Sequence, residues 1–285
     1  MWLADKWRDY EVLDASDGEK LERWGNIILI RPDPTAIWTK ERDERLWGRA
    51  NARYVRSKSG GGSWDRFAAD TFSVSYGELS FRLKQFGFKH TGLFPEQAVN
   101  WDWFMPIIKN AGRPVRVLNL FAYTGGATMA AAASGASVCH VDAAKGMVAW
   151  AKDNAKACGL SDAPIRYIVD DCIKFIKREG RRGSRYDAVI MDPPSYGRGP
   201  DGEVFKIEEK LYELCELSSR LLSDDPLFFL VNSYTAQISP SLIENILKLT
   251  VLKNHGGCAE ADEIGLPVKS ADIVLPCGIT GRVKF

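Results

Sequence analysis

The chain has 285 residues, of which 45% are hydrophobic and 26% are charged, as is typical of a globular protein with one large or two smaller domains. Its formal net charge of +1 excludes a chain-wide basic surface for nucleic acid, so any such surface must be local. No stretch reaches the roughly 18 uninterrupted apolar residues of a membrane span, and the N-terminus lacks the apolar segment of a signal peptide.

Six cysteines are scattered along the chain without a Cys-x-x-Cys pair. This usage indicates reduced thiols rather than a disulfide framework, and it predicts a cytoplasmic protein. His255, Cys258 and Asp262 match no standard metal-ligand spacing, so no metal site is expected.

The first part of the chain is predicted to form a small β-rich module over residues 1–95. Eight of the nine tryptophans lie before residue 104, so the two parts of the chain differ in composition. The predicted elements are a strand over 26–31, a helix over 39–50 capped by Thr39, and strands over 52–56, 63–67, 71–76 and 79–86. Gly60-Gly61-Gly62 and Tyr76-Gly77-Glu78 supply turns between strands. A helix over 96–110 leads into the second part.

The second part, residues 96–285, alternates apolar strands with helical patterns. The predicted order is strand 115–121, helix 125–134, strand 137–142, helix 145–158, strand 165–169, helix 171–179, strand 186–191, helix 205–222, strand 226–232, helix 239–249 and one or two strands around 271–284. This alternation predicts an α/β fold with a Rossmann-like, doubly wound, mainly parallel seven-stranded sheet. Such sheets bind ligands beyond the carboxyl ends of their strands.

A glycine pair follows the first of these strands. Gly125 and Gly126 remove side chains where a ligand approaches the backbone, and the free N–H groups of the following helix can bind a carboxylate such as that of methionine. The Gly-x-Gly-x-x-Gly pattern of dinucleotide sites is absent, which argues against a nicotinamide or flavin cofactor. An ordinary turn at a helix start would show the same glycines.

Acidic residues close the next two strands. Asp142 is placed to accept from the two hydroxyls of a ribose, although a solvated acid at a strand end is an equal reading. In Asp170-Asp171-Cys172, a carboxylate can accept from an adenine amino group while a neighbouring N–H donates to a ring nitrogen. Either acid could instead cap the following helix, and the two roles are compatible.

Asp192-Pro193-Pro194-Ser195-Tyr196 follows the fourth strand and is the most specific signal. The prolines fix φ and remove two backbone donors, which leaves carbonyl acceptors beside a carboxylate. Asp192 and the Pro193 carbonyl could hold an amino or ring N–H while its lone pair faces a methyl donor. Tyr196 could stack on a flat base. A rigid turn alone would gain nothing from the acid.

With these motifs in this order, the chain resembles the class I S-adenosylmethionine-dependent methyltransferases, in particular the bacterial branch of the ribosomal RNA large-subunit methyltransferases I and K. The resemblance covers about residues 86–285 and is carried by FKHTGLFPEQ at 88–97, FAYTGG at 121–126, Asp170-Asp171 and Asp192-Pro193-Pro194. It implies S-adenosylmethionine as cofactor. The cofactor-binding residues it implies, with their neighbours, are Phe94, Gln97, Asn119, Phe121, Tyr123, Thr124, Gly125, Gly126, Asp142, Asp171 and Cys172. Asp192, Pro193, Pro194 and Tyr196 are the expected catalytic residues.

Three departures from the family pattern bear on the reaction. Asn119 stands where the class often has an acid, and Ser195 stands where base amino-methyltransferases usually carry an aromatic residue. Methylation of cytosine C5, known in the family, usually needs a cysteine thiolate. The proline corner has no cysteine, and Cys277 is the one candidate, so a nitrogen acceptor is favoured.

The predicted function is therefore methylation of a base in ribosomal RNA, with the N-terminal module binding the substrate. Arg42, Arg45, Arg49, Arg53 and Arg56 recur every three or four residues, close to Lys58, and would form one basic stripe if the helix continued. A salt-bridged solvated face is an equal reading, since Glu41, Asp43 and Glu44 lie among them. The alternatives are a catalytically silent RNA-binding or cofactor-sensing protein, and a methyltransferase acting on a protein or small molecule.

Overall fold

The computed structural model describes residues 1–57, 61–198 and 204–285, which fall into two compact units. The N-terminal unit consists of Trp2–Val99 and Gly265–Cys277. The C-terminal unit consists of Asn100–Ile264 and Gly278–Phe285, together with Met1. Within the described ranges, no helix has the length and apolar character needed to cross a bilayer.

The N-terminal unit is built mainly from strands, as the sequence predicts. Its elements in chain order are β1 (Trp2–Leu3), β2 (Tyr10–Ser16), β3 (Glu19–Trp24), β4 (Ile27–Pro32), α1 (Glu44–Trp47), β5 (Ala52–Arg56), β6 (Gly62–Trp64), β7 (Phe72–Tyr76) and β8 (Leu79–Leu83). Strands β2, β3 and β4 form an antiparallel meander, and β5 joins it parallel to β4. Strand β6 pairs with β5, and β7 and β8 form a separate hairpin.

The predicted helix over 39–50 is wrong in extent, because only Glu44–Trp47 is helical. Asp43, not Thr39, caps α1, since its carboxylate accepts from the N–H groups of Arg45 and Leu46. The buried indole of Trp47 donates to Asp14 over 2.8 Å and fixes the end of the helix.

The arginines from 42 to 56 therefore do not share one helical stripe. Arg53 and Arg56 lie on strand β5 instead. The predicted turn residue Gly60 and the basic Lys58 lie outside the described residues.

The C-terminal unit alternates strands and helices. After the 3-10 turn Pro95–Gln97 come α2 (Ala98–Lys109), β9 (Arg116–Leu120), α3 (Gly126–Ala133), β10 (Ser137–Asp142), α4 (Lys145–Ala157), β11 (Ile165–Val169), α5 (Cys172–Arg181), β12 (Ala188–Met191), β13 (Tyr196–Arg198), β14 (Val204–Lys206), α6 (Ile207–Ser219), β15 (Phe228–Ser233), α7 (Pro240–Leu247), the π-helical turn Lys248–Leu252, α8 (Lys253–His255), β16 (Cys258–Val268) and β17 (Ile273–Lys284). The first two residues of α2 belong to the N-terminal unit. Strands β16 and β17 each have residues in both units.

The predicted doubly wound sheet is confirmed. Seven strands follow the order β11-β10-β9-β12-β15-β17-β16, and the first five are parallel to one another. Strand β17 runs antiparallel to β15. The carboxyl ends of the five parallel strands consequently share one edge of the sheet.

Helices cover both faces of the sheet, so its central strands are buried throughout. Every residue of β12 and of β15 is buried. Their side chains and those of β9 pack against α5, α6 and α7 in one apolar core, which includes Leu118, Leu120, Val189, Phe175, Leu211, Phe229 and Ile243. This burial on both faces explains why the strands appear in the sequence as continuous apolar runs.

Helix α7 packs against Gly281 of β17 so closely that a side chain there would not fit. A Cβ atom at this position would lie 2.3 Å from Cγ2 of Ile243 and 2.8 Å from Cδ1 of Leu247. We expect Gly281→Ala to lower the free energy of unfolding by about 1–3 kcal/mol through overpacking. Urea denaturation of the variant and of wild type measures this difference in the free energy of unfolding. Gly146→Ala in α4, where nothing lies within 4 Å, should be neutral or stabilising; equal losses in both variants would contradict the packing argument.

Candidate cofactor and acceptor site

The loop after β9 is tightly wound and held by its neighbour strand. Phe121, Tyr123 and Gly125 have φ angles of 54°, 50° and 86°, in the left-handed region. Two of them are not glycine, so the surrounding contacts must hold this conformation. The N–H of Ala122 donates to the carbonyl of Val141 over 3.0 Å, and the N–H of Tyr123 donates to Oδ2 of Asp142 over 2.8 Å.

Asp142 ends β10 and links this loop to the next helix. Its second oxygen, Oδ1, accepts from the N–H of Ala144 just before α4, over 2.8 Å. Burial raises the pKa of Asp142, and the two backbone hydrogen bonds partly oppose that rise. A carboxylate has about four acceptor positions, so two backbone bonds leave room for the two hydroxyls of a ribose.

Asp171 and Cys172 bring the end of β11 to the same edge. The N–H of Asp170 donates to the carbonyl of Asp142 over 3.1 Å. Asp171 caps α5 by accepting from the N–H of Lys174, so the capping role foreseen from the sequence is present. The buried Sγ of Cys172 accepts from the N–H of Phe121, and burial raises its pKa well above the ordinary value.

Asn119 is buried, and its side chain faces α3. Its Nδ2 donates to Oγ1 of Thr128 over 2.8 Å, and that oxygen lies 2.9 Å from Nδ1 of His140. All three side chains are at most 2% exposed, and burial lowers the pKa of His140 to about 3. The Asn119 amide thus fixes α3 against β9 and β10, and its role toward a cofactor stays a prediction.

Asn154 of α4 is a residue that the sequence analysis missed. Its buried Nδ2 donates to the carbonyl of Thr124 over 2.9 Å and so holds the middle of the β9 loop. The only sequence signal is an amide on the apolar face of α4, near the buried residues Ala151 and Ala155. Gly125 needs its glycine for the same packing, since a Cβ would lie 3.1 Å from that of Ala151.

The proline corner lies beside the β9 loop, as predicted. Strands β9 and β12 are neighbours, and the N–H of Asp192 donates to the carbonyl of Leu120 over 3.3 Å. Asp192 is partly buried and Pro193 is buried, whereas Pro194, Ser195 and Tyr196 are exposed. The corner and the glycine loop therefore open at the same edge of the sheet.

A short hairpin that the sequence did not predict continues from this corner. It is formed by β13 and β14, and Phe205 of β14 lies with its ring centroid 5.5 Å from that of Phe121. The Oγ of Ser195 accepts from the hydroxyl of Thr235, which follows β15 in the chain, over 2.8 Å. The first contact joins the loop after β9 to the hairpin, and the second joins the proline corner to the segment after β15.

Phe94 and Gln97 lie in the N-terminal unit. Phe94 immediately precedes the turn Pro95–Gln97, and Gln97 is buried within it. Their predicted contribution to the cofactor site stays a prediction.

The donor and acceptor groups at the sheet edge suit S-adenosylmethionine. Helix α3 has no acidic residue in its first turn, so its free N–H groups can bind a carboxylate without repulsion. Asp142 offers acceptors for ribose hydroxyls on the neighbouring strand. The start of α3 and the Asp142 carboxylate thus lie on neighbouring strand ends, and their roles toward the methionine and nucleoside parts of the cofactor stay predictions.

Comparison with known proteins defines the class. A family model described as S-adenosylmethionine-dependent methyltransferase matches residues 49–241. This match covers more than half of the chain, so the chain belongs to that family, and its cofactor is S-adenosylmethionine.

Two relatives are similar to this chain over most of its length. The chain is 29% identical over 281 residues to ribosomal RNA large subunit methyltransferase K/L of Shewanella baltica strain OS155, and 30% identical over 279 residues to that of Shewanella sp. strain W3-18-1. These alignments cover 93% of this chain and 36% of each relative, so the chain spans about a third of their length.

Solved structures agree with the fold. A SAM-dependent methyltransferase from Agrobacterium tumefaciens is 35% identical with a TM-score of 0.91, covering 97% of this chain and 90% of the other. SMU.776, a methyltransferase solved with SAH, superposes with a TM-score of 0.75 at 21% identity, covering 98% and 76% of the chains, and supports the fold alone.

Replacing Asp142 tests the nucleoside end of the site. We expect Asp142→Asn to weaken binding of S-adenosylhomocysteine roughly 10- to 100-fold, since hydrogen bonds to a charged group contribute about 1.5–3 kcal/mol. Isothermal titration calorimetry measures the affinity. Asp153→Asn, an exposed change on α4, is the matched control and should bind as wild type. Equal affinities for both variants would remove Asp142 from the site.

Burial of His140 predicts a pH dependence of stability. Its pKa is about 3 in the folded protein and ~6.5 when unfolded, so the unfolded state binds the extra proton first as the pH falls. Its contribution is fully present above pH ~6.5 and falls by about 2 kcal/mol at pH 5. Urea denaturation at pH 7 and 5 should show a smaller loss in His140→Gln than in wild type. The same loss in both would show that His140 is not held neutral.

Proposed function

We propose that the protein transfers the methyl group of S-adenosylmethionine to a nitrogen of a base in ribosomal RNA. The observation that carries this proposal is the position of Asp192, one hydrogen bond away from the end of β9 and therefore beside the glycine loop. The names of the ribosomal RNA methyltransferase relatives support the substrate class.

The residues of the corner suit an acceptor that carries N–H groups. The prolines offer no backbone donors, so the Pro193 carbonyl and the Asp192 carboxylate present acceptors only. They can hold an amino or ring N–H and turn its lone pair toward the cofactor, which supplies an electrophilic methyl group when bound. Catalysis then rests on positioning and on stabilising the positive charge that develops on the acceptor nitrogen.

The cysteines support nitrogen rather than carbon as the acceptor. Methylation at C5 of a pyrimidine usually proceeds through a cysteine thiolate, and a lowered pKa favours the thiolate form. Burial instead raises the pKa of Cys172, the cysteine at the sheet edge, well above its ordinary value. Burial, followed by the charge of Glu96, does the same for Cys277, the candidate from the sequence.

An exposed aromatic ring beside the corner suits a base as substrate. Tyr196 is 54% exposed although it directly follows the buried strand β12 and the proline corner. Aromatic rings of this kind stack on unpaired bases in RNA-binding proteins. Action on ribosomal RNA would also place the protein in the cytoplasm.

Replacing Asp192 separates binding from transfer. We expect Asp192→Asn to lower the rate of methyl transfer at least about 100-fold, because one acceptor for the substrate N–H is lost, while the affinity for S-adenosylhomocysteine stays within about twofold. Tritiated-methyl incorporation into ribosomal RNA measures transfer, and calorimetry measures binding. Asp225→Asn, at a carboxylate 89% exposed, is the control and should transfer normally.

Undiminished transfer by Asp192→Asn would contradict its catalytic role. Incorporation into ribosomal protein rather than RNA would contradict the proposed substrate.

A further inference from the structure

The N-terminal unit carries an open groove that the methyl-transfer site does not use. The groove has a volume of about 860 Å³. Three cationic side chains line it together with two carboxylates and one aromatic residue, namely Arg42, Arg53, Arg56, Asp17, Glu19 and Tyr54.

Glu19 holds two of the arginines in place. Arg53 binds its carboxylate through Nε and Nη2 at 2.9 and 2.8 Å, and Arg42 donates to it from Nη1 over 3.0 Å. The Arg53 side chain is 49% exposed and keeps its Nη1 donors outside this pair. Glu19 therefore fixes the guanidinium of Arg53 in one orientation, with donors left for a further anion.

Arg42 is fixed by the protein itself. Its guanidinium lies 3.9 Å from the ring of Trp47, and its Nη2 donates to the carbonyl of Ser16. It adds charge and rigidity to the groove, but few of its donors are left for a ligand.

Arg56 ends strand β5 and is exposed, and within residues 1–57, 61–198 and 204–285 it forms no ion pair. It lies close enough to Lys89 for their charges to interact. The pKa of Lys89 is lowered to about 8, first by burial and then by Lys20, with Arg31 and Arg56 adding to it and Asp33 opposing. A bound anion here would relieve this repulsion among cations.

The balance of charge at the groove is positive. Three cations, Arg42, Arg53 and Arg56, line the groove together with the two carboxylates of Asp17 and Glu19, which leaves one positive charge.

The aromatic side chain at the groove does not present a stacking surface. Tyr54 is 4% exposed and packs edge-on against Trp64, with ring centroids 5.5 Å apart. The available recognition groups are therefore guanidinium N–H donors, which match phosphate oxygens and carry no information about base identity.

We propose that this groove binds the phosphodiester backbone of single-stranded RNA, with Arg53 and Arg56 each neutralising one phosphate. The inference rests on the proposed function, since it assigns a surface that holds the RNA substrate. The volume of the groove suits a few nucleotides of one strand.

The test compares RNA binding by wild type and Arg53→Gln/Arg56→Gln across salt concentrations. The probe is a fluorescein-labelled 20-nucleotide oligouridylate, and anisotropy gives the affinity. Each phosphate contact on a single strand contributes ~0.7 to the slope of log affinity against log salt, so the variant should lose about 1.4 of slope and roughly 20-fold in affinity at 0.1 M salt.

Arg181→Gln/Arg185→Gln removes the same charge from exposed positions of the C-terminal unit and should bind as wild type. Unchanged affinity for S-adenosylhomocysteine and an unchanged melting temperature show that the groove variant is folded. Equal slopes for wild type and the groove variant, or equal losses in both double variants, would overturn the inference. The proposed function is tested separately by methyl incorporation into RNA by the wild-type protein. This readout does not depend on how RNA affinity varies with salt.

Discussion

The rest of the site depends on the two hydrogen bonds that the carboxylate of Asp142 accepts. It accepts from the N–H of Tyr123 in the β9 loop and from the N–H of Ala144 at the start of α4, and so joins two segments that follow different strands. These bonds offset the cost of burying a charge, which is otherwise large. The same link holds the strained φ angles of the loop, and a carboxylate so oriented can accept from a ribose.

The C-terminal unit could be predicted from sequence because one physical rule governs it. Parallel strands buried on both faces must be apolar throughout, and the helices between them must be amphipathic. The strands over 137–142 and 165–169 are observed with the predicted bounds. The same pattern marks where each strand ends, so the sequence alone predicts that Asp142, Asp171 and Asp192 lie at one edge of the sheet.

Several other features of the fold leave no pattern in the local sequence. The apolar pattern does not predict strands β2 and β3, because the buried acids Asp14 and Glu22 interrupt it. The indole of Trp47 and the guanidinium of Arg31, which bind these acids, lie on other elements. No local signal marks Gly265–Cys277 as part of the N-terminal unit. The Asn119 network could not be foreseen either, since the pairing of β9 with β10 is what brings His140 to Thr128, the residue that accepts from Asn119.

Mass mapping of nucleosides in ribosomal RNA methylated by the purified protein tests the central claim most directly. The corner at Asp192–Pro194 offers only hydrogen-bond acceptors, and burial keeps the thiols of Cys172 and Cys277 protonated. We therefore predict one new methyl group, attached to a base nitrogen. A methyl group on a pyrimidine C5, or RNA without any new methyl group while the cofactor is bound, would contradict the account.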